Sequence, residues 1–278
     1  MRLAISNIAW DRAEDTAVSR LLQQLQIDAI DVAPGKYFPN PAKATEAQIS
    51  QVRRWWRSRG IEIYGMQALL FGTRGLNLFA GADSQASMLD HLAAVCRIAA
   101  GLGARRLVFG SPKNRDRAGL DDQHSLEIAL NFFRRLGDIA HDHGVVICLE
   151  PNPACYGANF MLDSDETAQV VRQVAHGAIR MQLDTGALTL NGEDPARVLH
   201  EHADLIGHVH ASEPHLVPLG EGCTDHDRML TALRGYLPEQ VVTIEMLTPP
   251  DQPTLPAIER ALHAATRHYR HHESGVRA

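Results

Sequence analysis

Cysteine is scarce in this 278-residue chain, positive charge is not in excess, and no apolar run is long enough to span a bilayer. The four cysteines, Cys96, Cys148, Cys155 and Cys223, show no C-x-x-C spacing. That excludes a disulfide scaffold or a cysteine-rich zinc site, and it fits a reducing compartment in which each is a small packed residue. A formal net charge of -6 leaves no basic field, so nucleic acid is not the expected partner. The opening MRLAISNIAW is broken at Asp11 before it reaches the length of a secretory core or a membrane span. A cytoplasmic protein without a membrane partner is expected. Neither a G-x-G-x-x-G after the first apolar run nor a P-loop is present, which removes the usual signatures of an open nucleotide-binding sheet.

What the sequence does have is a rhythm. Short β-rich apolar runs alternate with longer stretches of helical periodicity, and no linker or low-complexity segment interrupts them. The strand candidates are residues 3–9, 29–34, 61–68, 106–110, 145–150, 179–184, 206–211 and 241–246. Between the fourth and fifth, Leu126, Ala129, Leu130, Phe133, Leu136 and Ala140 make a helical stripe, and Gly144 stands where a helix ends. Asp163, Ser164 or Asp165 opens the next helix, with Glu166 spaced for a capping box on Asp163. Strand-helix units at this spacing predict an α/β fold, a single (β/α)8 TIM barrel over residues 1–272, with 273–278 as a frayed tail.

In a barrel, catalytic groups sit where strands end. The run VVICLE ends on Glu150, IRMQLD on Asp184, IGHVHA reaches His210, and VVTIEM reaches Glu245. Side chains alternate along a strand, so Glu150 shares its face with Cys148, Asp184 with Gln182, His210 with His208, and Glu245 with Thr243. Three carboxylates and one imidazole at one mouth repel each other unless a cation sits among them. The mostly oxygen donor set suits one divalent metal ion, Mn²⁺ foremost, with Mg²⁺, Co²⁺ or Zn²⁺ also compatible. Gln182, His208 and Thr243 form the polar layer beneath, placed to support the ligands. An acid at a strand end is more often a helix cap, but caps do not select a histidine in the same series.

The motifs CLEPNP (148–153), QLDTG (182–186), GHVHASE (207–213), LGEGCTDH (219–226) and TIEM (243–246) together resemble the xylose isomerase-like barrel superfamily across essentially the whole chain. That group includes ketose 3-epimerases, hydroxypyruvate isomerases, inosose dehydratases and, further off, endonuclease IV. The resemblance implies that Glu150, Asp184, His210 and Glu245 bind the metal and that Glu150 and Glu245 are the catalytic acid/base pair. It also implies a sugar isomerase or epimerase, and relatives are often homo-oligomers. Several positions depart from the epimerase pattern. A histidine three residues after the strand-six aspartate is Ala187 here, an arginine six after the strand-seven histidine is Leu216, and a glutamate six after the strand-five glutamate is Tyr156. These departures argue against a free ketohexose. The ends of strands three and four, GMQALLFG and FGSPKNR, lack the histidines that endonuclease IV uses there, which argues against a nuclease.

A small carbohydrate-like substrate is expected. Gln67 ends strand three, Lys113 and Arg115 follow strand four, and Glu213 and His215 follow strand seven, so these five are the candidate substrate-binding residues. Lys113 and Arg115 would pair with an anionic group if the substrate carries one. Trp10 is a candidate apolar wall. Asp225 and His226 are read as the cap of the seventh helix. A dehydratase using the same proton abstraction, and a binding barrel that keeps the metal without catalysis, remain as alternatives.

Overall fold

The computed structural model describes residues 1–270, so the expected boundary at 272 and the tail beyond it lie outside the described residues. Eight parallel strands run in chain order around a closed barrel: β1 (Leu3–Ser6), β2 (Ala29–Val32), β3 (Glu62–Met66), β4 (Arg106–Phe109), β5 (Val146–Leu149), β6 (Ile179–Asp184), β7 (Ile206–Ser212) and β8 (Val242–Glu245). Ile5 of β1 pairs with Ile244 of β8, which closes the ring. Helices α1 (Asp15–Gln24), α3 (Glu46–Arg57), α4 (Ala82–Leu102), α5 (Asp122–Asp142), α6 (Ser164–Val174), α8 (Pro195–His202), α9 (His226–Tyr236) and α10 (Thr254–Tyr269) connect or follow the strands. The architecture is a single (β/α)8 TIM barrel.

Most strands are shorter than their apolar runs, because the ends of the runs are spent on turns at the barrel mouth. Residues Asn7–Ala9, expected as strand, form a 3-10 turn in which the Ser6 side chain accepts the Ile8 N–H. Two short helices at that mouth were not legible as helices: α2 (Pro34–Tyr37), opened by Pro34 in its first turn, and α7 (Thr185–Asn191).

The alternation of side chains divides the packing. Outward residues such as Ile5, Ile30, Leu149 and Ile244 join the helices in the main core, where Phe109 meets Phe133 edge-on at 5.5 Å. Inward residues at the base of the barrel, Ala4, Ala29 and Val241, pack with Tyr64. Inward residues higher up are polar, and they make the site described below.

Helix α6 shows how local chemistry fixes a boundary. The Asp163 carboxylate accepts the Glu166 N–H at 2.8 Å, which identifies Asp163 as the cap. Glu166 reaches back not to Asp163 but to the N–H of Leu162, at 2.9 Å, so the expected box is displaced by one residue. In α5, Gly144 follows the helix in the left-handed region, φ +63°, as its position predicts. Replacing Asp163 by Ala should lower stability by about 1 kcal/mol, the usual cost of losing a cap. Urea unfolding checks it, and an unchanged midpoint would show that α6 does not depend on this cap.

Candidate functional site at the barrel mouth

Glu150, Asp184, His210 and Glu245 converge: each offers a ligand atom, and these atoms lie within 4.8 Å of one another. Strand pairing explains the convergence, since Asp184 is level with His210, and Ser212 is level with Glu245. His210 is fully buried and stands between the two glutamates, with Nδ1 3.2 Å from Glu245 Oε2 and 3.6 Å from Glu150 Oε1. Each glutamate is held through its other oxygen by an amide. Gln67 Nε2 donates to Glu245 Oε1 at 2.6 Å, and Asn152 Nδ2 donates to Glu150 Oε2 at 3.1 Å. Glu150 Oε1 is left without a hydrogen-bond partner.

The electrostatics are those of a cluster in which three carboxylates face one imidazole. Burial, reinforced by Glu245 and Glu150, pushes Asp184 up to about 7. For His210 burial acts to lower the pKa, but Glu245, Asp31 and Glu150 outweigh it and raise it well above the ordinary value. For Glu245 burial acts upward, and the facing His210 and Gln67 bring it below the usual range. Asp184 is also a helix cap: it accepts the Ala187 N–H at 2.7 Å, opening α7, while Ser212 Oγ donates to both its oxygens at 2.9 and 2.8 Å. Capping and membership of the cluster are therefore not exclusive. The buried carboxylates, the unpartnered Glu150 oxygen and the inward imidazole nitrogen fit a divalent cation with oxygen-rich coordination.

Beneath them lies a residue that the sequence reading missed. Asp31, fully buried on β2, places Oδ2 2.7 Å from His208 Nε2 and 3.6 Å from His210 Nε2. Burial acts to raise its pKa, and the two histidines hold it below the usual carboxylate range. His208 thus supports Asp31 rather than a member of the cluster directly. Gln182 faces His210: in the amide orientation that satisfies both of its ends, with oxygen and nitrogen exchanged, the oxygen accepts the His210 backbone N–H at 3.2 Å. Thr243 is buried beside His210 in the register, and its hydroxyl has no partner. The lone acid in AIDVAP on the inward parity was the available signal for Asp31, the same signal as Glu150 in VVICLE.

Two glycines make room for these carboxylates. A Cβ on Gly110 would lie 1.9 Å from Glu150 Oε2, and one on Gly65 would lie 2.6 Å from Asp31 Oδ1. The register irregularity between β2 and β3 sets Gly65 level with Asp31. It also breaks the alternation of β3: Tyr64 points inward, Met66 outward, and Gln67 inward to Glu245.

The other expected substrate-binding residues are not all brought together. Gln67 lines a cavity of about 1020 Å³ that opens over Glu150 and Glu245. Lys113 is exposed and outside that lining, because the turn Pro112–Arg115 directs it to solvent. Arg115 is fully buried and also outside the lining; burial draws its pKa down to about 10 against the pull of Glu150 and Glu166. Glu213 is only 1% exposed and anchors the loop after β7, accepting the Gly220 and Thr224 N–H groups at 2.9 Å and facing His226 at 3.1 Å. His215 sits exposed at the rim, its N–H donated to the Tyr156 hydroxyl at 2.8 Å. Trp10 belongs to the core, edge-on to Trp56 and donating to Asp15 at 2.8 Å. Asp225 alone caps α9, while His226 is buried against Glu213 and Tyr269.

Two predictions follow from these contacts. Asp31→Asn should leave the fold intact and weaken Mn²⁺ affinity by about 10- to 100-fold, as loss of a group that orients a ligating histidine does. A titration of folded variant against wild type checks it, and equal affinities would dismiss the role of Asp31. The second concerns Glu213. Burial acts upward on its pKa, but His226 and the loop N–H groups bring it from the ordinary 4.5 to about 2. A carboxylate with a depressed folded pKa stabilises the fold above its unfolded value and loses that contribution as pH falls toward the folded one. Wild type should therefore exceed Glu213→Gln in thermal stability near neutrality, and the gap should close as pH falls from 4.5 to about 2. A gap independent of pH would contradict this.

The chain matches the model of the xylose isomerase-like TIM barrel family over residues 20–267. No curated protein matches it in sequence. Among solved structures, a D-psicose 3-epimerase from Clostridium cellulolyticum H10, crystallised with D-tagatose, superposes with a TM-score of 0.81 at 17% identity over 97% of this chain and 98% of that one. The 3-keto-D-glucoside 4-epimerase of E. coli gives 0.77 at 16% identity over 95% and 98%. The IolI protein, with a zinc atom, gives 0.74 at 18% over 97% and 98%. At such identities the likeness to these structures is one of fold. With the family match extending over most of the chain, the protein belongs to the xylose isomerase-like TIM barrel family.

Proposed function

We propose that this protein is a divalent-metal-dependent isomerase or epimerase of a sugar or sugar-derived hydroxy-carbonyl compound, working by proton transfer through an enediolate. The observation that carries the reading is the matched pair of glutamates. Each has one oxygen fixed by an amide, Gln67 or Asn152, and the other turned toward His210. Two pre-oriented carboxylates at one mouth are what abstraction and return of a carbon-bound proton require.

Glu150, Asp184, His210 and Glu245 would hold the ion. When bound, it supplies Lewis-acid polarisation of the substrate's adjacent oxygens, as Mn²⁺ does well. One glutamate takes the proton from the carbon beside the carbonyl, and the C–H electron pair moves into the double bond of the enediolate. If the other glutamate delivers a proton to the opposite face of the same carbon, the product is the epimer. If the proton goes to the neighbouring carbon, an aldose and a ketose interconvert. Gln67 and Asn152 keep the two carboxylates from rotating away. Gln67 also lines the cavity. Asp31 Oδ2 lies 3.6 Å from His210 Nε2, on the side of the ring opposite the Nδ1 that faces Glu245.

The names of the structural neighbours, among them an L-ribulose 3-epimerase, support a carbohydrate ligand. Ala187, Leu216 and Tyr156, standing where sugar epimerases carry polar groups, favour a derivative over a free ketohexose. The test is incubation of candidate hydroxy-carbonyl compounds with Mn²⁺-loaded protein in deuterated water. Wild type should introduce deuterium at the carbon beside the carbonyl, and Glu150→Gln and Glu245→Gln should each slow this by about 10²- to 10⁴-fold. A dehydrated product would replace the isomerase by a lyase, and variants as fast as wild type would remove the glutamates from the chemistry.

A further inference from the structure

The cavity over the carboxylates is larger and less polar than a sugar alone explains. Cavities of about 300–1,000 Å³ hold drug-sized ligands, whereas a single sugar of about a dozen heavy atoms fills only part of such a space. This one measures about 1020 Å³ and extends from Glu150, Glu245 and Gln67 out to Leu70, Phe71, Leu216 and Leu247. Three of the polar side chains that line the cavity are committed to the protein. Thr73 Oγ1 donates to the Leu70 carbonyl at 2.7 Å, His91 Nε2 lies 2.9 Å from the Leu69 carbonyl, and Lys36 Nζ donates to the Asn7 carbonyl at 2.7 Å. Asp11 and Asn40 also line the cavity, but the wall made by Leu70, Phe71, Leu216 and Leu247 carries no polar side chain.

The apolar residues are presented, not left loose. Phe71 is 87% exposed and Leu247 47% exposed, yet both stand on backbone that is hydrogen-bonded internally. The Phe71 N–H donates to the Ala68 carbonyl at 3.1 Å and the Thr73 N–H to the Leu70 carbonyl at 3.1 Å, so the loop after β3 is a run of tight turns. Ala68 at its start is in the left-handed region, φ +53°. Across the mouth, the Leu247 N–H donates to the Leu216 carbonyl at 2.8 Å, joining the loops after β7 and β8, and Leu216 also has a positive φ of +56°. Non-glycine residues adopt this conformation uncommonly, so both loops keep a defined backbone path. Large apolar side chains kept in water beside a catalytic mouth mark a surface that a ligand covers.

We propose that the substrate is a sugar-like hydroxy-carbonyl compound whose far end is apolar, an aryl or alkyl substituent, and that Leu70, Phe71, Leu216 and Leu247 form the subsite for that end. The proposal rests on the reading of the carboxylate centre given above, which places the polar head. Continuity of the cavity from Glu245 to Leu247 names the occupant: a ligand whose head reaches the carboxylates has its tail on these residues.

Hydroxamates separate head from tail, because their two adjacent oxygens chelate a metal while the chain attached to them is varied. Acetohydroxamate and 4-phenylbutanohydroxamate are titrated into Mn²⁺-loaded wild type, Phe71→Ser and Leu247→Ser, with the oligomeric state followed by light scattering. Wild type should bind the phenyl compound at least about tenfold more tightly than the acetyl one, the gain expected from burying an aromatic ring. Both variants should lose most of that preference while binding acetohydroxamate as wild type does. Equal affinity of wild type for the two compounds would overturn the apolar subsite and leave the metal centre standing. A preference that both variants retain would overturn the assignment of these residues. Failure of both compounds to bind would overturn the centre and the subsite with it. A dimer dissociated by Phe71→Ser, with no preference between ligands, would assign the apolar face to a second copy of the chain and likewise overturn the proposal.

Discussion

Mutual repulsion among three carboxylates in a closed space is the constraint around which the mouth of this barrel is built. Glu150, Asp184 and Glu245 place oxygens within a few ångströms of one another at the top of the barrel, where the burial of Asp184 and the partial burial of the glutamates limit the screening of water. Hydrogen bonds relieve part of this. Ser212 and the start of α7 satisfy Asp184, while Gln67 and Asn152 each satisfy one oxygen of a glutamate. Gly110 and Gly65 are shaped to the same end, since a methyl group at either would collide with a carboxylate. What the protein does not supply is enough positive charge: His210 is the one basic group among the four, and it is shared with Asp31 beneath.

Much of this was legible in the sequence, for reasons that can be named. Eight apolar runs of strand length gave the barrel, and period-two parity placed Glu150, Asp184, His210 and Glu245 on one face, where the structure also puts them. Polar identity at a strand end was a strong signal because the surrounding run was apolar. Where the reading fell short, the missing information was three-dimensional. Asp31 carries the same signal as Glu150, but only the closure of the ring brings β2 under β7. Gln67 reaches Glu245 because the pairing of β2 with β3 is irregular, and strict alternation would have turned it outward.

Loops were the least legible part. Lys113, Arg115 and Glu213 follow strand ends as Gln67 does, yet one faces solvent, one is fully buried and one anchors a loop. Distance along the chain from a strand end does not say which way a loop residue turns. That depends on its neighbours: Pro112 starts a 3-10 turn before Lys113 and Arg115, and His226 with the Gly220 and Thr224 N–H groups draws Glu213 inward. The same loops set the character of the cavity. Glu150 and Glu245 line it on one side, and Leu70, Phe71, Leu216 and Leu247 on another.

The central claim is that the carboxylate cluster is completed by a divalent cation. Calorimetric titration of Mn²⁺ into chelator-treated protein at neutral pH, repeated in buffers of different ionisation enthalpy, tests it most directly. With Asp184 at about 7 and His210 well above its ordinary pKa before the ion enters, binding should displace protons from the cluster. The account predicts one ion per chain with accompanying proton release, both lost in His210→Ala. A folded wild type that binds no Mn²⁺, or binds it with no proton release and equally well without His210, would contradict it.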